Sequence, residues 1–466
     1  FQSAYQLTIL EASKHVFARH QIAPKFSTAE NNVMKRVFTS IAACCVATFS
    51  FAQDAPERTP VAEFKKNGFS LEQVEEYRSN YNLPNLLTGD DASVWFSQRT
   101  SEVMYTAHLP VKVPYMPLAE SIMPEIGKVK AETKHFGTLT LNEFLVHPES
   151  YAKAIIVVHK GEVVFEEYPG LNPWESHVWM STAKPMAGLV IEHLIDDGLL
   201  KDQMTVAEIM PDWALTEWAD IKLIDILDMT PGMNSEENDV TRADPNSIAT
   251  RVFNAEFGFE YNKRNETVAE VLMSAKAVGK PGEKFEYGSP TTQMLVEISE
   301  AAGGMPWADL FDQYVWSKVG AEGPLMIHLS PYGTAVAHGL VSSRLRGLAR
   351  FGMLYTPSWD KTATEQVVTD EMIARIRKGV RGRDFYRDGF DGPVFVDRLN
   401  DDTMISNSRQ WDAIWPDGDF WKAGITTQAL YVSPDKDLVI AFYSTNVPDD
   451  SFHRYLRPIA TSGLFD

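Results

Sequence analysis

Ser181-Thr182-Ala183-Lys184-Pro185-Met186-Ala187-Gly188-Leu189-Val190-Ile191 places a serine and a lysine three residues apart at the head of a long apolar run. The chain holds four Ser-x-x-Lys pairs: Ser150/Lys153, Ser181/Lys184, Ser358/Lys361 and Ser433/Lys436. Ser433 falls in a turn beside Pro434, Ser358 follows Pro357, and Ser150 leads into a strand, where residues three apart face opposite sides. Only Ser181 opens a helix, expected over 183–197 and stopped by Asp196-Asp197-Gly198. Residues i and i+3 share a helix face, so the Lys184 amine can approach the Ser181 hydroxyl. Pro185 is tolerated because it lies in the first turn. An almost wholly apolar helix must run through the core. Burial there disfavours the ammonium form of Lys184 and makes it a usable base. A capping serine beside a solvated lysine would look the same, so other segments must decide.

Two do so. Phe285-Glu286-Tyr287-Gly288-Ser289 runs into a helix expected over 291–302. Tyr287 stands at its junction, where a phenol can shuttle a proton between nucleophile and leaving group, with Ser289 two residues on. Two nearby lysines would acidify that phenol. Lys422-Ala423-Gly424-Ile425 precedes a strand at 429–432. There Gly424 lets a substrate backbone approach, and the Ile425 N–H joins that of Ser181 as an oxyanion hole. Lys422 adds positive charge to the cleft.

Flanking segments supply the frame. Ala154-Ile155-Ile156-Val157-Val158 and Glu162-Val163-Val164-Phe165 read as a hairpin closed at Lys160-Gly161. A second hairpin pairs 429–432 with 437–442. Helices are expected at 70–81, 218–229 and 344–355, with a last one over 450–462. Strands at both ends with helices between imply an α+β fold: one antiparallel sheet from N- and C-terminal segments, flanked by helices, with a helical subdomain inserted over about 181–380. The hydrolase domain then spans 149–466, preceded by an extension over 53–148. The aromatic-rich stretch 384–420, with Trp411, Trp415 and Phe420, is expected at the cleft mouth.

These motifs, with Asp228-Met229-Thr230-Pro231-Gly232-Met233 and Gly339-Leu340-Val341-Ser342-Ser343, resemble the β-lactamase-related, penicillin-binding-protein-like serine hydrolases, in particular the 6-aminohexanoate-dimer hydrolases and family VIII-type carboxylesterases. The resemblance implies an active site between an α/β and a helical domain. It also implies acyl-enzyme chemistry with Ser181, Lys184 and Tyr287 catalytic, and Lys422, Gly424, Ile425, Ser289 and Gln428 binding substrate or its oxyanion. No cofactor or metal is implied, and the partner is a small ester or amide. Three departures matter. Ala423 replaces the threonine of Lys-Thr-Gly, Thr427 replaces the glycine before Gln428, and Asn238-Asp239-Val240 lacks the acidic-plus-tyrosine pattern of the nylon-oligomer amidases. They favour a carboxylesterase over a β-lactamase or amidase. The alternatives are a cell-wall D-Ala-D-Ala carboxypeptidase-like enzyme and an inactive binding protein on the same scaffold.

The 466 residues are 44% apolar and carry a net charge of −20, which excludes nucleic acid and anionic lipid as natural partners. The histidines show no His-x-x-x-His spacing, and no Gly-x-Ser-x-Gly elbow occurs. Met34-Lys35-Arg36, the apolar run 37–51 and the small residues of Ser50-Phe51-Ala52 form a signal-peptide pattern over 34–52, with 1–33 an upstream artefact of the translation start. The chain is therefore expected to be exported, to the periplasm or beyond, with no lasting membrane insertion. Both cysteines, Cys44 and Cys45, fall inside that signal. A lipoprotein site at Ile41-Ala42-Ala43-Cys44 is disfavoured, because the apolar run continues past it.

Overall fold

The β-branched run at 154–158 forms a strand buried on both faces, which is why it does not alternate with polar residues. The computed structural model describes residues 58–465 except 390 and 448, so the segments 1–33 and 34–52 lie outside the described residues. Residues from Arg58 onward form one unit around an eight-stranded sheet. Its strands are β1 (Ala119–Glu120), β2 (Ala152–His159), β3 (Glu162–Glu167), β4 (Ser406–Ser408), β5 (Trp411–Ile414), β6 (Phe420–Gly424), β7 (Gln428–Ser433) and β8 (Leu438–Ser444). Their order is β4-β5-β6-β7-β8-β2-β3-β1. The two expected hairpins meet edge to edge, β8 pairing β2 antiparallel with Ile440 opposite Val157. Lys160 and Gly161 both take positive φ (50° and 77°), the two-residue turn that suits the sheet's twist.

The alternation of β2 divides the interior. Ala154, Ile156 and Val158 face a core shared with α1 (Lys184–Asp196), α2 (Ser289–Gly303) and α3 (Leu345–Met353). Ala152, Ile155 and Val157 face a second core closed by Leu141–Val146 and the C-terminal Leu456–Ala460. Helices thus cover both faces of the sheet, as the α+β reading expects.

Several elements differ from expectation. The helix read over 218–229 shortens to Leu223–Leu227, because Val206 N donates to Ile221 O and Leu223 N to Met204 O, pinning the preceding residues against 204–206. The stretch 181–380 is not purely helical. Leu325–Leu329 and Val341–Ser343 join Tyr105–Leu109 and His177–Val178 in a second, four-stranded sheet. Tyr105–Leu109 comes from the N-terminal extension, which also carries the capped helix Leu71–Ser79 and the short helix Leu83–Leu87. Within 384–420, Asp391, Val394, Phe395 and Arg398 line the cavity beside Ser181 as expected, whereas Trp411, Trp415 and Phe420 lie in the core, Trp411 packing edge-on against Phe420.

Arg350 on α3 is fully buried and ties these parts together. Its guanidinium donates to Glu322 at 2.8 and 3.0 Å, to Thr362 Oγ1 at 3.1 Å and to the Met116 carbonyl of the extension at 2.6 Å. Removing one partner of a buried pair strands the other charge at a cost of about 3–5 kcal/mol. Arg350→Met is therefore expected to lower the unfolding free energy by about that amount in urea denaturation. A loss under about 1 kcal/mol would show that the pair holds nothing together.

Candidate active site

The placement of Ser181 begins one residue before it. Met180 sits at φ 49°, a left-handed conformation that a non-glycine residue rarely adopts, and it turns the chain sharply after Val178. Ser181 then lies in a 3-10 turn, Met180–Ala183, rather than in the α-helix itself, which starts at Lys184. In a 3-10 turn side chains at i and i+3 eclipse, which brings the two motif residues face to face. The Lys184 Nζ lies 3.2 Å from Ser181 Oγ, 2.9 Å from Ser289 Oγ and 3.0 Å from the His338 carbonyl. The amine is fully buried, and that burial, with Lys422 nearby, pulls its pKa down to about 7 against the opposing pull of Glu237.

Tyr287 and Ser289 reach the same point from the head of α2. Glu237, which sequence reading missed, organises this corner. It accepts from Ser289 N at 3.2 Å and from the Ser289 hydroxyl, and it pairs with Arg242 at 3.1 Å. Burial alone would raise its pKa, but Arg242, Lys184 and Ser289 together hold it down at about 2. The Tyr287 N–H donates to Asp391 at 3.1 Å. The expected acidification of its phenol does not occur. Burial, then Asp412 and Glu237, push its pKa well above the usual value and outweigh the hydrogen bond with Ser181. Tyr287 stays a protonated phenol, with Lys422 Nζ 3.4 Å from its oxygen.

The third motif occupies the end of β6. Asp412 on the neighbouring β5, also missed, forms an ion pair with Lys422 and accepts from Ala423 N at 3.0 Å. Both charged groups are buried, and burial lowers the Lys422 pKa against the pull of Asp412. A Cβ on Gly424 would lie 3.0 Å from Met180 Cβ, from the Trp179 carbonyl and from Gln428 Oε1, so a side chain there would press on the turn that carries Ser181. Ile425 follows, and Thr426 and Thr427 take φ values of 64° and 68°. The glycine expected in place of Thr427 would meet this backbone without strain. Instead, Thr427 Oγ1 donates to Asn446 O at 2.7 Å to hold it. Gln428, expected at the substrate, is turned away from it. Its amide is spent on Ser444 O at 2.7 Å and Thr426 Oγ1 at 2.9 Å, bracing the turn from within.

Ser181, Tyr287, Gly424, Ile425, Arg242 and Asp391 line one cleft of about 400 Å³, its walls part polar and part apolar. Every expected site residue except Gln428 thus stands at this cleft or in the buried network behind it. Neither Glu237 nor Asp412 sits at a fixed spacing from its partner lysine. Among the described residues, no group of three or more His, Cys, Asp or Glu side chains is placed to hold a metal ion.

The Beta-lactamase family model matches residues 151–463. A 6-aminohexanoate-dimer hydrolase of Paenarthrobacter ureafaciens is 27% identical over 307 residues, covering 66% of this chain and 75% of that protein. Among solved structures, a Bacillus anthracis protein provisionally named a 6-aminohexanoate-dimer hydrolase superposes with a TM-score of 0.67 at 19% identity, over 82% of this chain and 97% of that one. A family VIII carboxylesterase is matched with a TM-score of 0.44 at 14% identity, over 67% and 92% of the two chains. With the family model spanning most of the chain, the protein belongs to the Beta-lactamase family of hydrolases.

Proposed function

We propose that the protein is a Ser-x-x-Lys serine hydrolase that cleaves small esters through an acyl-enzyme. The observation that carries this reading is the fully buried Lys184 amine 3.2 Å from Ser181 Oγ, in an environment that favours its neutral form. Neutral Lys184 takes the Ser181 proton as the oxygen attacks the substrate carbonyl. The N–H groups of Ser181 and Ile425 receive the oxyanion. As the bond to the leaving group breaks, the Tyr287 phenol protonates it, and the proton held by Lys184 restores the phenol. Water then repeats the exchange, and its attack on the acyl carbonyl frees Ser181.

An alkoxide leaves more readily than an amide nitrogen. Ala423 removes the hydroxyl that would bind a β-lactam carboxylate, and no tyrosine stands at 238–240 to assist an amide. Both points support an ester as substrate. The basic–apolar–small pattern at 34–52 supports export. Among the described residues no helix is long and apolar enough to cross a membrane.

Three outcomes are expected. Ser181→Ala lowers p-nitrophenyl ester turnover by about 10⁴-fold or more and abolishes the acyl adduct seen by intact mass; undiminished turnover would remove Ser181 from the chemistry. Because the base works in its neutral form, activity is full above the Lys184 pKa and is lost as pH falls through about 7. A kcat/KM profile for the ester falling tenfold per pH unit below that point is the check; a flat profile between pH 5 and 8 contradicts the assignment. Gly424→Ala, by forcing β6 off the nucleophile turn, reduces kcat by about 10²-fold or more while cooperative melting persists.

A further inference from the structure

Ser181 opens onto two spaces, one of mixed polar and apolar lining and one mostly apolar. The first is the cleft already described. The other is a small apolar pocket of about 30 Å³, walled by Leu86, Leu87, Phe253, Phe257 and Leu340. Tyr287 lines the cleft and not the pocket. That asymmetry orients the substrate. The leaving-group oxygen must come within hydrogen-bonding distance of the Tyr287 hydroxyl, so the leaving group lies in the cleft. The oxyanion points to the Ser181 and Ile425 N–H groups. The remaining substituent of the tetrahedral carbon, the acyl chain, is directed into the apolar pocket.

Two walls of that pocket come from the N-terminal extension, a segment upstream of every motif. Leu86 is 1% exposed and packs in a cluster with Tyr77, Trp95, Phe96, Met180 and Leu340. Its carbonyl accepts from the Ser93 hydroxyl at 3.0 Å, and Ser93 Oγ in turn accepts from Gly89 N at 2.8 Å, which fixes the turn behind it. On the opposite wall the Phe257 ring lies 5.2 Å from that of Tyr81, also in the extension. The wall is therefore braced. One water-sized sphere needs about 10–15 Å³, so the pocket has room for about two or three non-hydrogen atoms beyond the carbonyl carbon.

Resting on the hydrolase reading above, we infer that the N-terminal extension is the specificity wall of this enzyme, with Leu86 and Leu87 closing an acyl pocket that admits acetyl to butyryl chains and excludes longer ones. The test uses p-nitrophenyl acetate, butyrate, hexanoate and octanoate on the full chain and on Leu86→Ala and Leu87→Ala. A methylene that a pocket cannot take costs a factor of about 10 or more in kcat/KM. The wild type is expected to prefer butyrate over octanoate by at least about tenfold, and each leucine variant to raise the octanoate-to-butyrate ratio by at least about tenfold. Leu87 is only half-buried, so Leu87→Ala decides the matter if Leu86→Ala fails to fold. A wild type that prefers octanoate, or an unchanged ratio in folded Leu87→Ala, overturns the acyl pocket while leaving Ser181-dependent turnover intact. Turnover that survives Ser181→Ala overturns the hydrolase reading itself, and the pocket assignment with it.

Discussion

Lys184 keeps its amine fully buried where the helical region meets the sheet. A lysine in that position stands only if the space around it is closed, its oxygen partners are in place and nearby charge is balanced. The first condition explains why α1 is apolar on nearly every side and runs through the larger core. The second explains why three chain segments converge on one nitrogen: Ser181, Ser289 at the head of α2 and the His338 carbonyl. His338 is itself held by Glu256, 3.0 Å from its Nε2. Loosening any of these would admit water and return the amine to its charged form. In this sense the fold serves the desolvation of one group.

The closeness this demands shows in the backbone. Met180 before Ser181, and Thr426 and Thr427 after β6, hold left-handed conformations that cost roughly 1–3 kcal/mol each. Such strain persists only where surroundings over-determine it. Gly424 passes so near Trp179 and Met180 that the two strained turns brace each other. Gln428 and Asn446 anchor the outer one.

What the sequence made legible was local. Ser181 and Lys184 declare themselves through their spacing and the apolar run behind them, and β2 and β3 through a β-branched hairpin with Lys160-Gly161 at its turn. Glu237 and Asp412 left no such trace. Each meets its lysine across the fold, by way of Ser289 or from an adjacent strand, and an acidic residue in Glu236-Glu237-Asn238 looks like solvated surface. The reading of Tyr287 failed for a related reason. It counted the two lysines near the phenol but neither the burial of the phenol nor the carboxylates Asp412 and Glu237 close by. The extension at 53–148 was opaque because its composition is polar, while its contribution rests on a few leucines and aromatics, such as Leu86 and Trp95, brought together only by folding.

Those carboxylates also bear on the direction of proton flow. Each of the two lysines at the site has an acid at hand, Lys422 with Asp412 in direct contact and Lys184 with Glu237 through Ser289. Two uncompensated ammonium groups beside Tyr287 would favour its phenolate, a base that would compete with Lys184 for the Ser181 proton and leave nothing to protonate the departing oxygen. Burial, reinforced by the acids, keeps the proton on the phenol, and burial draws it off the Lys184 amine against the pull of those same acids. In the hydrolase reading proposed above, acid and base are thereby assigned to different residues before any substrate arrives. That division depends on the burial of both groups more than on the charges paired around them.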